Sequence, residues 1–306
     1  MMHANNQALQ TLGELLRAQG YEFIAVTPET HGRVSQRAVA QGRLWAQNLR
    51  EVFGWNWPFR ADILPERMLE CLQSAGALEV LEGGFRSRVR YATLHNKLYV
   101  HSAYPTTEPD AVFFGPDTYR FASLLDRWAP SAKNAVDVGC GSGAGLLSIA
   151  ERVGHVILAD INPRALAYAR VNAALAGESC EFVESDILAG VRSEVDLIVA
   201  NPPYMHDDAT RVYRHGGDGL GTDLSVRIVQ QGLSRLRKHG TLIVYTGAPI
   251  VNGVDLFYQA LRPHLDAAAA EITYEMLDPD VFGEELERAA YAEVERIAVV
   301  GLRARL

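Results

Sequence analysis

Four consecutive residues, Asn201-Pro202-Pro203-Tyr204, combine a side-chain amide, two rigid backbone units and a phenol in an order suited to chemistry at nitrogen. An amide or ring-attached amine is a poor nucleophile because its lone pair is delocalised into the neighbouring π system. The Asn201 side-chain oxygen and the Pro202 carbonyl can accept that nitrogen's two hydrogens and turn the lone pair toward an electrophile. Two prolines hold the acceptors rigid, which is the preorganisation such a reaction needs. Tyr204 offers an aromatic face to a planar acceptor or a cation. Asn201, Pro202 and Tyr204 are therefore the candidate catalytic residues.

A ligand-binding pattern lies upstream. Val136-Asp137-Val138-Gly139-Cys140-Gly141-Ser142-Gly143-Ala144-Gly145 follows a β-rich run and opens a helical one. Glycine lets the backbone turn tightly and approach a ligand closely where a strand's carboxyl end meets a helix N-terminus, so a nucleotide-like ligand is implied. Gly139, Gly141 and Ala144 also satisfy the dinucleotide fingerprint, and the glycines alone leave that reading and a bare tight turn open. Asp160 stands 21 residues after Gly139, at the end of the second strand, where a carboxylate can accept both hydroxyls of an adenosine ribose. Asp186 ends the third strand, where it can receive an adenine amino hydrogen while Ile187 packs on the ring. Each acid alone reads equally well as a helix cap or turn residue. Their succession at consecutive strand ends favours ligand binding.

The elements that position these residues follow from periodicity. From Asn134 onward, β-rich runs at Ala135-Val138, Val156-Ala159, Cys180-Val183, Leu197-Ala200, Leu242-Tyr245, Ile272-Met276 and Ile297-Leu302 alternate with helices at Gly145-Val153, Pro163-Ala176 and Leu224-His239. That alternation calls for an α/β fold with a parallel sheet covered on both faces, the last two runs pairing as an antiparallel edge. The first part differs. Gln7 to Ala18, Val34 to Val52 and the segment after Pro65 read as helices, and Phe85-Leu94 with Leu98-Ala103 as a hairpin around His95-Asn96. The expected organisation is a smaller helical, winged-helix-like domain over residues 1-110, a lid or substrate-docking module, and a ligand-binding catalytic domain over 111-306.

The chain has 306 residues, 48% apolar and 22% charged, within the globular range. Its net charge of -8 arises entirely after residue 125, since the first 125 residues carry twelve basic and twelve acidic side chains. That argues against a nucleic-acid footprint on the catalytic part. Arg86, Arg88, Arg90 and Lys97 cluster in the first part and read as a solvated strand face. No apolar run is long enough for a membrane helix, and the polar start Met1-Met2-His3 lacks signal-peptide order, so the expected location is cytoplasmic with no membrane partner. Cys71, Cys140 and Cys180 show no paired spacing and suggest reduced thiols. His206, Asp207, Asp208 and His215 lie in a long polar loop from Met205 to Asp223, read as a substrate gate; no metal site is expected. Trp45, Trp55 and Trp57 read as core of the first part, with a lid role as the alternative.

With Asn201-Pro202-Pro203-Tyr204 added to the glycine loop and the acids, the sequence from about Phe113 to Leu242 resembles the class I S-adenosylmethionine-dependent methyltransferases of the small-methyltransferase group. That resemblance implies a Rossmann-like seven-stranded methyltransferase sheet with a reversed last strand. By position, it implies that Asp137, Gly139, Gly141 and Gly143 frame the methionine part of S-adenosylmethionine. It likewise implies that Asp160 holds the ribose and Asp186 the adenine, with Ile161, Ile187 and Asn201 also among the cofactor-binding residues. In relatives, a segment just before the sheet covers the methionine end, which adds Asp117, Thr118 and Tyr119 from Phe113-Phe114-Gly115-Pro116-Asp117-Thr118-Tyr119. This segment departs from the arginine- and glutamate-containing version of the glutamine methyltransferases. The implied activity is methyl transfer to an amine or amide nitrogen, with a small-molecule acceptor favoured, a protein side chain second and nucleic acid last. The alternative is a cyclase for which S-adenosylmethionine is the sole substrate, as in azetidine-2-carboxylate synthases. There the amino-acid nitrogen attacks its own γ-carbon and methylthioadenosine leaves. A dehydrogenase or a non-catalytic binding module would leave Asn201-Pro202-Pro203-Tyr204 without a task.

Overall fold

The computed structural model describes residues 2–206 and 213–306. Helix α1 (Met2–Ala18) buries Leu9, Leu12 and Leu16, one face of a helical repeat. Pro28 at the first turn and the Thr27 side chain, which accepts from the Thr30 amide, start α2 (Pro28–Ala40). The helix expected from Val34 to Val52 is broken. Gly42 adopts φ +75° after α2, and Asn48 caps a separate short helix, α3 (Leu49–Phe53). Helix α4 (Glu66–Ser74) follows Pro65 as the sequence suggests.

Two separate hairpins come next, β1 (Leu78–Leu81) with β2 (Gly84–Ser87), and β3 (Val89–Leu94) with β4 (Lys97–Ser102). His95 and Asn96 form the second turn, both with positive φ, the geometry that matches strand twist in a two-residue loop. The strand expected over Phe85 to Leu94 is thus shared between two hairpins. The basic row is only partly solvated. Arg90 is buried, its Nε donating to the Gly54 carbonyl at 3.0 Å, and Lys97 donates to the Leu147 carbonyl at 2.6 Å.

Beyond residue 110, α5 (Pro116–Trp128), β5 (Ala132–Val138), α6 (Ala144–Ser148), β6 (Val153–Asp160), α7 (Pro163–Ala176), β7 (Cys180–Glu184) and β8 (Val195–Ala200) alternate. They are followed by α8 (Asp218–Gly221), α9 (Asp223–Arg235), β9 (Leu236–Val251), β10 (Val254–Asp255), α10 (Leu256–Ala268), β11 (Glu271–Asp278) and β12 (Arg296–Arg305). The main sheet runs β7-β6-β5-β8-β9-β12-β11, with β10 folded back on β9. β12 lies antiparallel to both neighbours while the strands from β7 to β9 pair in parallel. This is the Rossmann-like sheet with a reversed last strand. Two helices are shorter than periodicity suggests: a 3-10 turn follows α6 before Val153 opens β6, and Leu236 to His239 join β9, where the His239 amide donates to the Leu306 carbonyl at 2.8 Å.

Alternating strand residues fill two cores. Leu158, Val199, Ile243 and Val299 face one side, and Ile157, Ile198, Val244 and Val300 the other. The N-terminal region is welded to the sheet. Val171 and Leu175 of α7 enter its core, and a Cβ on Gly13 of α1 would lie 2.7 Å from Leu175 Cδ1. Strand ends, glycine loop and N-terminal region therefore meet in a fixed arrangement.

Candidate functional site

A cavity of about 490 Å³ opens at the carboxyl ends of β5, β6 and β8. The turn from β5 to α6 puts Gly139, Gly141 and Gly143 at φ +67°, +53° and +77°. Gly139 and Gly141 line the cavity, and no atom lies within 4 Å of where a Gly139 Cβ would stand, leaving the backbone open to a ligand. Gly143 does not line it. Its Cβ would meet Leu147 and Leu158 at 3.1 Å, so this glycine serves close packing beneath the loop and not the ligand.

Asp137 and Asp160 brace that loop. Asp137 Oδ2 accepts from the Leu146 amide at 3.2 Å, and burial, with Asp160 nearby, pushes its carboxyl up to about 7. Asp160 accepts from the Gly141 amide on Oδ2 and from the Asn162 amide on Oδ1, each at 2.8 Å, and burial raises its pKa as well. A carboxylate has about four lone-pair sites, so Asp160 keeps capacity for a ribose hydroxyl beside its backbone donors. Ile161 lines the cavity although it is 55% exposed, an apolar face suited to a ring; Ile187 lines it too and is buried. Asp186, exposed at the same rim, takes Arg227 at 3.4 Å. These residues fit an adenosyl group with an amino-acid tail: an open glycine turn, a carboxylate with free lone pairs, and apolar walls.

β8 ends at Ala200 and delivers Asn201 to the cavity, half-buried and with no side-chain hydrogen-bond partner among the described residues. Pro202 and Tyr204 line the same wall. Tyr204 is not free to swing over a ligand. Its hydroxyl donates to Asp117 Oδ2 at 2.5 Å, and its ring lies on Gly247, where a Cβ would come within 2.3 Å of Cδ2. Tyr245, unmarked by any motif, donates to Asp117 Oδ1 at 2.7 Å. Burial and Asp117 raise both phenols above the usual tyrosine range. Thr118 lines the cavity beside Asp117. Tyr119 does not; its hydroxyl accepts from the Ala25 amide at 2.9 Å, tying α5 to the N-terminal region.

The mouth is built from parts no motif flags. Pro28, Glu29 and Tyr104 come from the N-terminal side, Tyr213 from the loop after the Asn201–Tyr204 turn and Phe282 from the segment before β12. Tyr213 donates to the Thr106 carbonyl at 2.5 Å and stacks on Phe113 at 6.0 Å. Such residues lack fixed spacing, and their only signal is aromatic character in loops. Of the loop histidines, His206 and His215 stand 6.0 Å apart, and no group of three or more ligating residues among the described residues is placed for a metal; Asp207 and Asp208 lie outside them. The tryptophans pack away from the cavity: Trp55 and Trp57 on the N-terminal core, Trp45 against Gly83 and Gly84.

A methyltransferase small domain model matches residues 118–250. A release factor glutamine methyltransferase of Deinococcus radiodurans is 36% identical over 124 residues, 36% of this chain and 44% of that protein. A provisionally named protein N5-glutamine methyltransferase of Methanocaldococcus jannaschii is 39% identical over 139 residues, 42% of this chain and 71% of that one. The chain thus spans less than half the length of the Deinococcus relative. Among solved structures, Trm5b of Pyrococcus abyssi superposes with a TM-score of 0.51 at 14% identity, covering 79% of this chain and 71% of its own, a likeness of fold alone. Matched strand ends, glycine turn and archaeal relative converge: this chain belongs to the class I S-adenosylmethionine-dependent methyltransferases of the small-domain family.

Proposed function

We propose that the protein is an N-methyltransferase whose acceptor is an amide nitrogen of a protein side chain. The observation that carries this is the Asn201 amide, presented at the end of β8 to the cavity and engaged by nothing else among the described residues. Bound S-adenosylmethionine supplies an electrophilic methyl. Asn201 and the Pro202 carbonyl take the acceptor's N–H groups and aim its lone pair, while Pro202 and Pro203 keep both acceptors still. One proton leaves the nitrogen as the new C–N bond forms. Residues 1–110 act as the acceptor-side wall, supplying Pro28, Glu29 and Tyr104 to the mouth. The relatives' names move the preferred acceptor from a small molecule to a protein glutamine. The departure at Gly115-Pro116-Asp117-Thr118-Tyr119 leaves room for a different protein. No described helix is long and apolar enough to cross a membrane, and we place the protein in the cytoplasm on its unpaired cysteine spacing.

The test is an incubation with S-adenosylmethionine alone and with an unmethylated bacterial release factor, read by mass spectrometry. S-adenosylhomocysteine together with a methylated glutamine, formed only with the acceptor, is expected. Methylthioadenosine without any acceptor would replace methyl transfer by cyclisation. Transfer to small amines but to no protein would overturn the acceptor class.

A further inference from the structure

We infer that Asp117, together with Tyr245, is a positioning residue for Tyr204 of the catalytic turn and not a ligand of the cofactor. The inference rests on the methyl-transfer reading above. Asp117 stands at the start of α5, Tyr204 beyond β8 and Tyr245 within β9, so one carboxylate joins three elements. Its Oδ2 takes the Tyr204 hydroxyl at 2.5 Å and its Oδ1 the Tyr245 hydroxyl at 2.7 Å. Arg120 adds a donor to Oδ1 at 3.1 Å and reaches Asp278 of β11 at 3.1 Å. Three of roughly four lone-pair positions are then filled, and the carboxylate has little left for a ligand.

The turn needs such an anchor. Pro202 and Pro203 have no N–H to donate, so the Tyr204 side chain holds the turn together with the backbone bonds of Met205 to Arg214 and Gly216 just beyond it. Tyr204 is gripped on two sides. Gly247 leaves the slot in which the ring lies, Phe282 meets its edge at 6.1 Å, and Asp117 holds its tip. Both phenols keep their protons as donors because burial and the adjacent carboxylate raise them above the usual range. The side chain cannot swing out of its slot without losing the Asp117 bond, so Asn201, three residues earlier, inherits its position. Shifts of about 1 Å at positioning residues cost on the order of a hundredfold in rate.

The experiment compares Asp117→Asn, Tyr245→Phe and the double variant with Tyr204→Phe, which removes the other end of the anchoring bond, and with Tyr204→Ala, which also empties the slot. Calorimetry gives S-adenosylhomocysteine affinity, saturation kinetics with the protein acceptor give kcat and KM, and denaturant unfolding gives stability. A positioning role requires kcat to fall roughly 10- to 100-fold in Asp117→Asn, with cofactor affinity held within about twofold. The double variant should turn over no more slowly than Asp117→Asn, because Tyr245 acts only through that carboxylate. Tyr204→Phe should retain more turnover than Tyr204→Ala, since its ring still fills the Gly247 slot. A loss of cofactor affinity of tenfold or more with kcat intact at saturation would make Asp117 a cofactor ligand and overturn the inference. So would independent, multiplying losses in the double variant. A wild-type protein that transfers no methyl would remove the functional reading instead. Cofactor affinity and unfolding coupling between Asp117→Asn and Tyr204→Phe would then still decide which partner Asp117 serves.

Discussion

Asp137→Asn should flatten the dependence of stability on pH. The Asp137 carboxyl is 2% exposed, has one amide donor at 3.2 Å and lies near a second acid, and its pKa is raised from 3.8 to about 7. Between those values the folded protein keeps a proton that the unfolded chain has released, so stability must fall as pH rises through that window. At about 1.36 kcal/mol per unit, the shift amounts to roughly 4 kcal/mol, fully developed only above the folded value. Asparagine can still accept from the Leu146 amide but carries no charge to strand. Urea unfolding of both proteins from about pH 4 to about pH 8, at constant ionic strength, isolates this group in the difference. The variant should gain on the wild type steadily across the window, by as much as about 4 kcal/mol at its alkaline end. Parallel profiles would show that the buried carboxyl titrates normally and would refute the reasoning. A cofactor ammonium beside Asp137 would favour its charged form, so S-adenosylhomocysteine affinity should also rise with pH in the wild type and not in the variant.

Asp160→Ala removes the acceptor of the Gly141 and Asn162 amides and, on the proposed reading, of the ribose hydroxyls; charge-assisted bonds of about 1.5–3 kcal/mol each predict at least a tenfold loss of S-adenosylhomocysteine affinity by calorimetry. A folded variant with unchanged affinity would confine Asp160 to bracing the loop. Asn201→Ala should fold and bind cofactor but lose about a hundredfold or more in kcat, and near-normal turnover would take Asn201 out of the mechanism. Gly247→Ala puts a Cβ 2.3 Å from the Tyr204 ring, so turnover should collapse alongside an unfolding cost of about 1–3 kcal/mol, whereas wild-type kinetics would show that Tyr204 can move aside freely.

The sheet was legible because β5, β6 and β8 end in short apolar runs followed by turn residues, and because backbone chemistry at Gly139, Gly141 and Asp160 depends on residue type at fixed spacing. What the sequence concealed is long-range. Tyr245 sits within a buried stretch of β9 with no motif around it, and the partner of its hydroxyl, Asp117, is 128 residues away. Gly143 belongs to the same motif as Gly139, yet it turns inward; which glycine meets the ligand depends on φ and on Leu147 and Leu158 below it. Tyr119 follows Asp117 and Thr118, but helical rotation carries it to the far side, against Ala25. Arg90 alternates with charged neighbours as an exposed strand residue would, and only the packing of Gly54 against the hairpin reveals it as buried. The helix read through Leu236 to His239 failed for the same reason: Leu236 pairs with Val195 of β8 and the His239 amide donates to the Leu306 carbonyl, long-range bonds that override local periodicity.

β12 occupies an inner position, between β9 and β11, although it is the last of these strands in the chain. During synthesis β9 therefore emerges from the ribosome with one edge unsatisfied, and the side chains awaiting Ala298, Val300 and Leu302 stay in water until residues 296–305 arrive. An open strand edge beside apolar surface is the usual template for self-association. Translation of residues 296–305 closes that edge by placing β12 between β9 and β11. A chain halted before Arg296 would be a substrate for chaperones and proteases with its cofactor loop already encoded.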